Sequence, residues 1–310
     1  MALHQTSGRW RLGLLLASVT ALFWSTLPIS LKLALEQVDA WTITWIRFVS
    51  AAVALALWLA LRHGLAAYRG HGRRIWWMML VAAVMLTGNF VGYLFGIEYT
   101  TPANAQLLIQ AAPLLLALGG VLVFRERFSA VQWSGLTLVA IGLLGFSLDQ
   151  SRQTQGIAQN YALGALIVFG AALVWAIYAL LQKQLLNHLG SQHLLLFIYA
   201  VASLLLLPMA RPTTLLTLDA LHGWALFYCC LNTIGAYGAF AEALAHWQAS
   251  RVGVVLALTP MLTVAAIAAF SWLRPGLVRA EQIALLGWCG VALVVFGSVL
   301  VSVARADPPA

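Results

Sequence analysis

Two glutamines and a proline recur at helical spacing in the apolar stretch 103–124. Gln106, Gln110 and Pro113 are four and three positions apart, so a continuous helix would carry all three on one face. Because two amides facing lipid would be unfavourable, we expect this face to point inward and to bind a polar ligand. Amides that merely tie neighbouring helices together are an equally good interpretation. Pro113 removes a backbone hydrogen bond, and it either exposes a carbonyl to a cavity or simply kinks the helix.

The stretch 252–273 carries a proline at the same place but no amides. Gly253, Ala257 and Pro260 repeat the spacing with small side chains. The first stretch thus carries hydrogen-bonding side chains on this face, whereas the second carries small side chains that leave open space. This asymmetry is suited to a small polar substrate that lies off the centre of the molecule.

Aromatic residues accompany these polar groups in the apolar stretches. Trp24, Pro28 and Lys32 share one face of a helix over 12–34, which therefore faces a cavity or other helices. Aromatic walls with a few polar groups fit an aromatic or otherwise amphipathic ligand. The predicted substrate-binding residues are Trp24, Asn89, Tyr93, Tyr99, Gln106, Gln110, Trp175, Tyr178 and Tyr237.

Ionisable residues are rare in the apolar stretches, where Arg47, Glu98, Glu242 and His246 are found. Glu242 and His246 are i, i+4 neighbours that either exchange protons during transport or form a structural hydrogen bond. No carboxylate lies centrally, so facilitated export down a gradient is the alternative to proton coupling. Lys32 closes its helix, where it would also serve as an interfacial anchor. The predicted coupling or gating residues are Glu242, His246, Pro113, Pro260, Lys32 and Arg47.

The composition places these residues in a membrane protein. Of 310 residues, 62% are hydrophobic and 8% are charged, whereas about 25% of the residues of a soluble domain are charged. The net charge of +8 does not indicate nucleic-acid binding, because the basic residues lie in short loops that orient a membrane protein. Cys229, Cys230 and Cys289 lie in apolar segments without metal-ligand spacing, so they are expected to be small core residues.

Ten apolar runs of about 20 residues divide the chain, and each is long enough to span a bilayer as a helix. The predicted spans are 12–34, 41–61, 75–97, 103–124, 131–148, 161–183, 193–210, 222–244, 252–273 and 281–303. Eleven of the 17 Lys and Arg residues fall on one side of these spans, five on the other, and Arg47 within a span. This bias predicts that both termini lie in the cytoplasm, and we expect the protein in a bacterial inner membrane.

The second half of the chain repeats the first at shifts that differ by the loop lengths. The corresponding pairs are Trp24 and Trp175, Lys32 and Lys183, Gly88 and Gly235, Pro113 and Pro260, Gly135 and Gly290, and Gly142 and Gly297. We therefore expect a first five-helix repeat in 1–148, a connecting loop in 149–160 and a second repeat in 161–310. Because five is odd, the two repeats would have opposite orientations in the membrane, as in many secondary transporters.

Two stretches of the first half carry a family pattern, "FWSTLPISLKLALEQVDAWTITWIR" (23–47) and "LLIQAAPLLLALGGVLVFRERFSAVQWSGLTLVAIG" (107–142). They combine an early Trp, a Lys closing helix 1, an Arg early in helix 2, a Pro in helix 4, Arg-Glu-Arg after it, and Gly-x6-Gly in helix 5. The chain resembles the drug/metabolite transporter superfamily of EamA type, and within it most the YddG-type amino-acid exporters. Where the first half reads "FRERF", the second reads "WLRPGLVR", so a salt bridge at that motif is not expected in the second half.

This resemblance implies an all-α integral membrane protein with ten transmembrane helices in two inverted halves, which exports metabolites or drugs. We expect export of neutral and aromatic amino acids by alternating access, from a monomer that needs no cofactor and no metal. A nucleotide-sugar or phosphate-ester exchanger, and a multidrug exporter, are the alternatives within the superfamily. The chain lacks a catalytic Ser/His/Asp arrangement and a phosphate-binding loop, so a membrane enzyme is the least favoured class.

Overall fold

Helices form all the regular structure in the described part of this computed structural model. The structure describes residues 9–62, 68, 71–124, 129–153, 161–247, 252, 255–256, 258–275 and 282–303. In the first half the helices are α1 (Trp10–Ala34), α2 (Ala40–Leu61), α3 (Arg73–Tyr99), α4 (Pro102–Leu108), α5 (Ala111–Phe124) and α6 (Ala130–Gln153). In the second half they are α7 (Tyr161–Leu185), α8 (Ser191–Leu206), a 3-10 helix (Pro212–Leu216), α9 (Ala220–His246), α10 (Thr259–Leu273) and α11 (Leu285–Val303).

The lengths and compositions of the helices confirm a multi-pass membrane protein. Helices α1, α2, α3, α6 and α7 are long and apolar enough to cross a bilayer, and shorter apolar helices occur at 191–206, 259–273 and 285–301. Large apolar side chains cover the outside of the bundle, for example Leu61, Leu122 and Trp272, which are 80%, 80% and 81% exposed. Such a surface is stable in lipid and not in water. The predicted fold class is confirmed.

The fourth predicted span is not one continuous helix, which corrects the expectation that Gln106, Gln110 and Pro113 share a helix face. Helix α4 ends at Leu108 and α5 begins at Ala111, with a turn at Ile109 and Gln110. Pro113 lacks the N–H that would bond the carbonyl of Ile109, and this carbonyl accepts instead from the N–H of Ala112 at 2.9 Å. The predicted kink is therefore a true break in the span.

A second break precedes Pro260, at the position that corresponds to Pro113 in the repeat. Leu258 lies in a turn and α10 begins at Thr259. The carbonyl of Leu256 would accept from residue 260, but Pro260 has no N–H, and this carbonyl accepts instead from the hydroxyl of Thr259 at 2.6 Å. Both halves thus interrupt the same span at a proline and satisfy the freed carbonyl locally. Gly253 and Ala257 lie outside the described residues, as does the motif 125–127.

The pairing of the helices is unchanged when the two halves are exchanged. Corresponding helices are α1 and α7, α2 and α8, α3 and α9, α5 and α10, and α6 and α11. Helix α1 packs on α9 as α7 packs on α3, and α5 packs on α7 as α10 packs on α1. The remaining large contacts, α6 with α11 and α2 with α8, map onto themselves. The set of helix–helix contacts therefore has the two-fold pattern of a repeat.

Glycines bring α6 and α11 into backbone contact. A Cβ on Gly142 would lie 2.6 Å from the carbonyl oxygen of Gly290, and one on Gly290 would lie 2.7 Å from that of Gly142. Gly135 and Gly297 approach each other in the same way, at 2.8 and 2.5 Å. In lipid, helices associate through such close packing of small residues. The Gly-x6-Gly spacing of both halves is thus a packing motif.

A similar glycine face of α3 packs against α7. A Cβ on Gly92 would lie 3.2 Å from the Cβ of Ala171, and Gly96 lies against Val168. The side-chain amide of Asn89 donates to the carbonyl of Ala171 at 2.9 Å. This face fixes the rotation of α3 and so determines which of its residues point to the opposite side.

We predict that Gly142→Ala destabilises the protein, because the added methyl group must separate two backbones. Overpacking of this kind typically costs about 1–3 kcal/mol, so the apparent melting temperature in detergent should fall. Gly145→Ala, three residues further along α6, is the matched control, since its nearest neighbour is a side-chain atom of Leu286 at 3.9 Å. Equal melting temperatures for the two variants would contradict the close approach of α6 and α11.

Candidate functional site

A buried arginine lies where α2, α3 and α9 meet. Arg47 is 3% exposed, and its Nε donates to the hydroxyl oxygen of Thr233 at 2.9 Å. The guanidinium carbon lies 4.6 Å from the ring centroid of Phe90, within the range of a cation–π interaction. Thr233 in turn donates to the carbonyl of Cys229. Arginine stays charged in proteins, so this region holds a permanent positive charge.

Aromatic rings from α1, α3 and α9 form a wall beside this charge. The ring centroids of Phe90 and Tyr237 are 6.4 Å apart, and those of Tyr237 and Trp24 are 5.7 Å apart. Phe240 extends the wall, 5.6 Å from Trp24. Trp24, Tyr237 and Phe240 remain partly accessible although they lie within long helices. A wall of this kind can hold the apolar part of an amphipathic ligand.

The two predicted amides have different environments because of the break between α4 and α5. Gln106 is 8% exposed, and its Oε1 accepts from the hydroxyl of Tyr93 at 2.6 Å. Gln110 lies in the turn itself and stays partly accessible. Tyr93 is one helical turn after Phe90, and the charge of Arg47 acts on its hydroxyl group. One amide thus ties α4 to α3, while the other remains open to a ligand.

Trp175 connects the break to the aromatic wall. It packs against Ala111 and Ala112 at the start of α5, against Ala172 of α7, and also against the apolar core that contains Phe90 and on which Tyr237 packs. The structure therefore brings together Trp24, Arg47, Tyr93, Gln106, Trp175 and Tyr237, with Gln110 in the adjoining turn. We call this set, with Phe90 and Thr233, the central site.

Three predicted binding residues lie elsewhere or have other partners. Asn89 faces α7, where its amide bonds to a backbone carbonyl. Tyr178 is 3% exposed within the apolar core. Tyr99 is the last residue of α3, and its backbone and Cβ lie against Gly164.

Apart from Arg47, the predicted coupling or gating residues lie either near the ends of long helices or at the two breaks within spans. His246 Nε2 lies 3.5 Å from a carboxylate oxygen of Glu242, whose side chain is 64% exposed at the end of α9. Lys32, in the last turn of α1, donates to the carbonyl of Ile97 at 3.2 Å. Pro113 and Pro260 lie in the first turns of the half-helices α5 and α10.

A polar cluster that the sequence analysis missed links the end of α1 to the start of α9. The two ring nitrogens of His222 lie 2.8 Å from the carboxylate of Asp219 and 3.1 Å from that of Glu36. Gln37 donates to Asp219 at 2.7 Å. The backbone and ring N–H groups of His222 lower the pKa of Asp219 to about 2. Glu36 and His222 are 186 positions apart in the chain, so no local pattern indicates their contact.

Sequence reasoning also missed Phe90, Thr233 and Tyr199, which resemble ordinary core residues. The Tyr199 hydroxyl is buried without a hydrogen-bond partner in the described part of the chain. Both polar side-chain atoms of Asn104, in α4, are also buried without a hydrogen-bond partner among the described residues. Among the described residues, no group of three or more His, Cys, Asp and Glu side chains is placed to hold a metal ion.

Comparison with known proteins places both halves of the chain in one family. The sequence pattern of the EamA-like transporter family matches residues 11–148 and again 162–303. An uncharacterized transporter of Haemophilus influenzae is 35% identical over 93% of this chain and 94% of its own length. The uncharacterized inner membrane transporter YhbE of Escherichia coli is 32% identical over 93% and 90%. A crystal structure with 17% identity superposes with a TM-score of 0.64 over 94% of this chain and 96% of that one, which supports the fold.

The turn between α4 and α5 should be reachable from water. In a background without the three native cysteines, we expect a small polar thiol reagent to modify Gln110→Cys at least about tenfold faster than Leu107→Cys. Leu107 is the matched control, since it lies three residues earlier and is 1% exposed. Equal rates would mean that the break is sealed within the protein, and that Gln110 does not border a pathway.

Proposed function

Because this chain belongs to the EamA-like transporter family, it is a membrane transporter, and we propose that it exports neutral and aromatic amino acids by alternating access. The family belongs to the drug/metabolite transporter superfamily. A transporter of this kind binds a small molecule within the bilayer. The proposal concerns the identity of that molecule, the direction of transport and the mechanism.

The central site is the observation that carries the proposal. It combines an aromatic wall, one permanent positive charge and an accessible amide at a helix break. Ligand sites are mostly apolar, with a few polar groups that orient the ligand. A small amphipathic molecule with a charged or polar end and an apolar or aromatic side chain matches this arrangement, and neutral amino acids are such molecules.

Alternating access is supported by the pairing of the helices. Exchange of the halves preserves the contacts, and α6 runs antiparallel to its counterpart α11, since Gly135 meets Gly297 and Gly142 meets Gly290. Repeats of opposite orientation can interchange their conformations and so open the site first to one side and then to the other. The half-helices at Pro113 and Pro260 are also a frequent feature of transporter sites.

We place the protein in the bacterial inner membrane with both termini in the cytoplasm. The support is the uneven distribution of Lys and Arg, together with the named location of the Escherichia coli relative. In this orientation the cluster of Glu36, Gln37, Asp219 and His222 lies on the outer side. We further propose a monomer, without cofactor or catalytic activity.

The other substrate classes find less support in the central site. A nucleotide-sugar or phosphate-ester exchanger would need several central cations to hold its phosphates, and the described interior of the site contributes Arg47. A multidrug exporter would not need a buried cation for neutral drugs. Proton coupling through Glu242 and His246 is less favoured than facilitated export, because the carboxylate is mostly exposed at a helix end.

Uptake into proteoliposomes that contain the purified protein tests the proposed function. We expect saturable uptake and counterflow of labelled Trp, Phe, Met and Thr, with little uptake of Lys and Asp. A parallel series with and without a pH gradient distinguishes proton coupling from facilitated transport. Failure of all the neutral amino acids, with folded protein, would disprove the amino-acid proposal and favour drugs or other metabolites.

A substitution in the turn tests the position of the substrate. We predict that Gln110→Leu lowers transport several-fold without lowering the membrane yield, because the substrate loses a hydrogen bond of about 0.5–1.5 kcal/mol. Gln184→Leu is the matched control, since Gln184 is exposed near the end of α7. Unchanged kinetics in Gln110→Leu would remove this residue from the substrate site.

A further inference from the structure

Arg47 has no carboxylate partner among the described residues. The six described acidic residues all lie elsewhere. Glu36 and Asp219 contact His222, Asp39 caps α2, Asp149 accepts from the N–H of Ala284 before α11, Glu242 contacts His246, and Glu98 is exposed near the end of α3. A buried charge normally has an opposite charge nearby, because an unpaired one is strongly unfavourable. Within the described part of the chain, Arg47 is therefore a buried positive charge without a counter-charge.

The neighbours of Arg47 stabilise its positive charge but do not neutralise it. Thr233 accepts one of the five N–H groups, and Phe90 offers the face of its ring. The remaining N–H groups of the guanidinium have no acceptor in the described part of the chain. They are suited to a second, bidentate contact with a planar anion.

Tyrosine hydroxyls complete the surroundings. The ring of Tyr237 lies 6.4 Å from that of Phe90, and the ring of Tyr199 lies 5.6 Å from that of Phe48, which in turn lies 4.6 Å from Phe90 beside the guanidinium. Tyr199 has a buried hydroxyl without a partner in the described residues, and burial in this condition is unfavourable. A hydroxyl is able to donate to an anion but supplies no negative charge itself. A cation and at least one hydroxyl without a partner among the described residues thus lie in the same buried cluster.

We propose that Arg47, assisted by the hydroxyl of Tyr199, binds the carboxylate of the substrate, so that only molecules with such a group are transported well. This inference rests on the proposed function, which it makes more specific. The apolar part of the ligand lies against Phe90, Trp24 and Tyr237, which form the wall beside the guanidinium. Binding of the carboxylate supplies the missing counter-charge, so substrate binding and neutralisation of the interior are one event.

Analogues of a single amino acid test the requirement for a carboxylate. The probes are tryptophan, tryptophanamide, tryptamine and indole-3-propionate, added as competitors of labelled tryptophan in counterflow and as stabilisers of the purified protein in a thermal assay. Loss of one partner of a buried charged pair should weaken binding about 30-fold or more. We therefore expect tryptophan and indole-3-propionate to stabilise and compete, and the amide and the amine to do so only at concentrations about 30-fold higher or more.

The two readouts separate this inference from the proposed function. Stabilisation by the carboxylates without any transport would support the site and disprove the export of amino acids. Competition by tryptophanamide as strong as that by tryptophan would overturn the site while transport stands. Stabilisation by chloride equal to that by the organic carboxylates would also overturn it, because the site would then hold an inorganic anion.

Substitutions test the named residues. We expect Arg47→Gln to abolish the difference between tryptophan and tryptophanamide, and Arg47→Lys to retain it in part, since lysine keeps the charge but not the fork of N–H groups. Arg62→Gln is the matched control, because Arg62 follows the last residue of α2 and is exposed. A folded Arg47→Gln protein that still prefers tryptophan over its amide would disprove the role of Arg47.

Tyr199→Phe keeps the test decisive if Arg47→Gln fails to fold. It removes a hydroxyl that has no partner in the described part of the protein, so we expect folded protein of at least the parental melting temperature. Its affinity for tryptophan should fall several-fold, with no change in the weak binding of tryptophanamide. An unchanged affinity for tryptophan would remove Tyr199 from the site, and the analogue series would then decide the role of Arg47 alone.

Discussion

A backbone that crosses lipid has no water with which to hydrogen-bond, and this constraint determines where the central site can exist. Most of the chain satisfies it with uninterrupted helices. Among the described residues, two exceptions precede Pro113 and Pro260, and there the carbonyls of Ile109 and Leu256 accept from Ala112 and Thr259. A broken span is tolerated only where protein or a cavity surrounds it. The site lies beside the first break because that is where turns and side-chain amides are compatible with the membrane interior.

The packing of α3 connects this constraint to the chemistry. Its glycine face meets α7 so closely that larger α3 side chains are excluded there, and on the other side Phe90 contacts Arg47 of α2 and Tyr237 of α9. Phe90 lies on that opposite side and Tyr93 on the flank between the two faces, where they meet Arg47 and Gln106. Without the glycines, α3 would sit farther from α7 and would be free to rotate. The glycines Gly92 and Gly96, which pack against α7, therefore also position the aromatic and hydroxyl groups of the site.

Periodic and local features could be predicted from the sequence, and contacts between distant segments could not. The spans and the glycine pairs follow from composition and from the repeat. The break at Ile109 was not predicted, since the effect of Pro113 acts on a carbonyl four residues earlier. Thr233 and Tyr199 were missed because nothing local distinguishes them from core residues. Arg47 was recognised as unusual, but its lack of a carboxylate partner is visible only when the described acidic residues are placed.

The repeat explains why the site has a symmetric wall and an asymmetric polar part. At the shifts found in the sequence, Trp24 corresponds to Trp175 and Phe90 to Tyr237, so rings occupy matching places in both halves. Arg47, by contrast, corresponds to Ile198, and the two amides correspond to Gly253 and Ala257. In the proposed alternating-access cycle, the apolar side chain of the substrate would meet a similar surface in either conformation, while its carboxylate would stay with the first half. The second half would then move around a ligand whose orientation does not change.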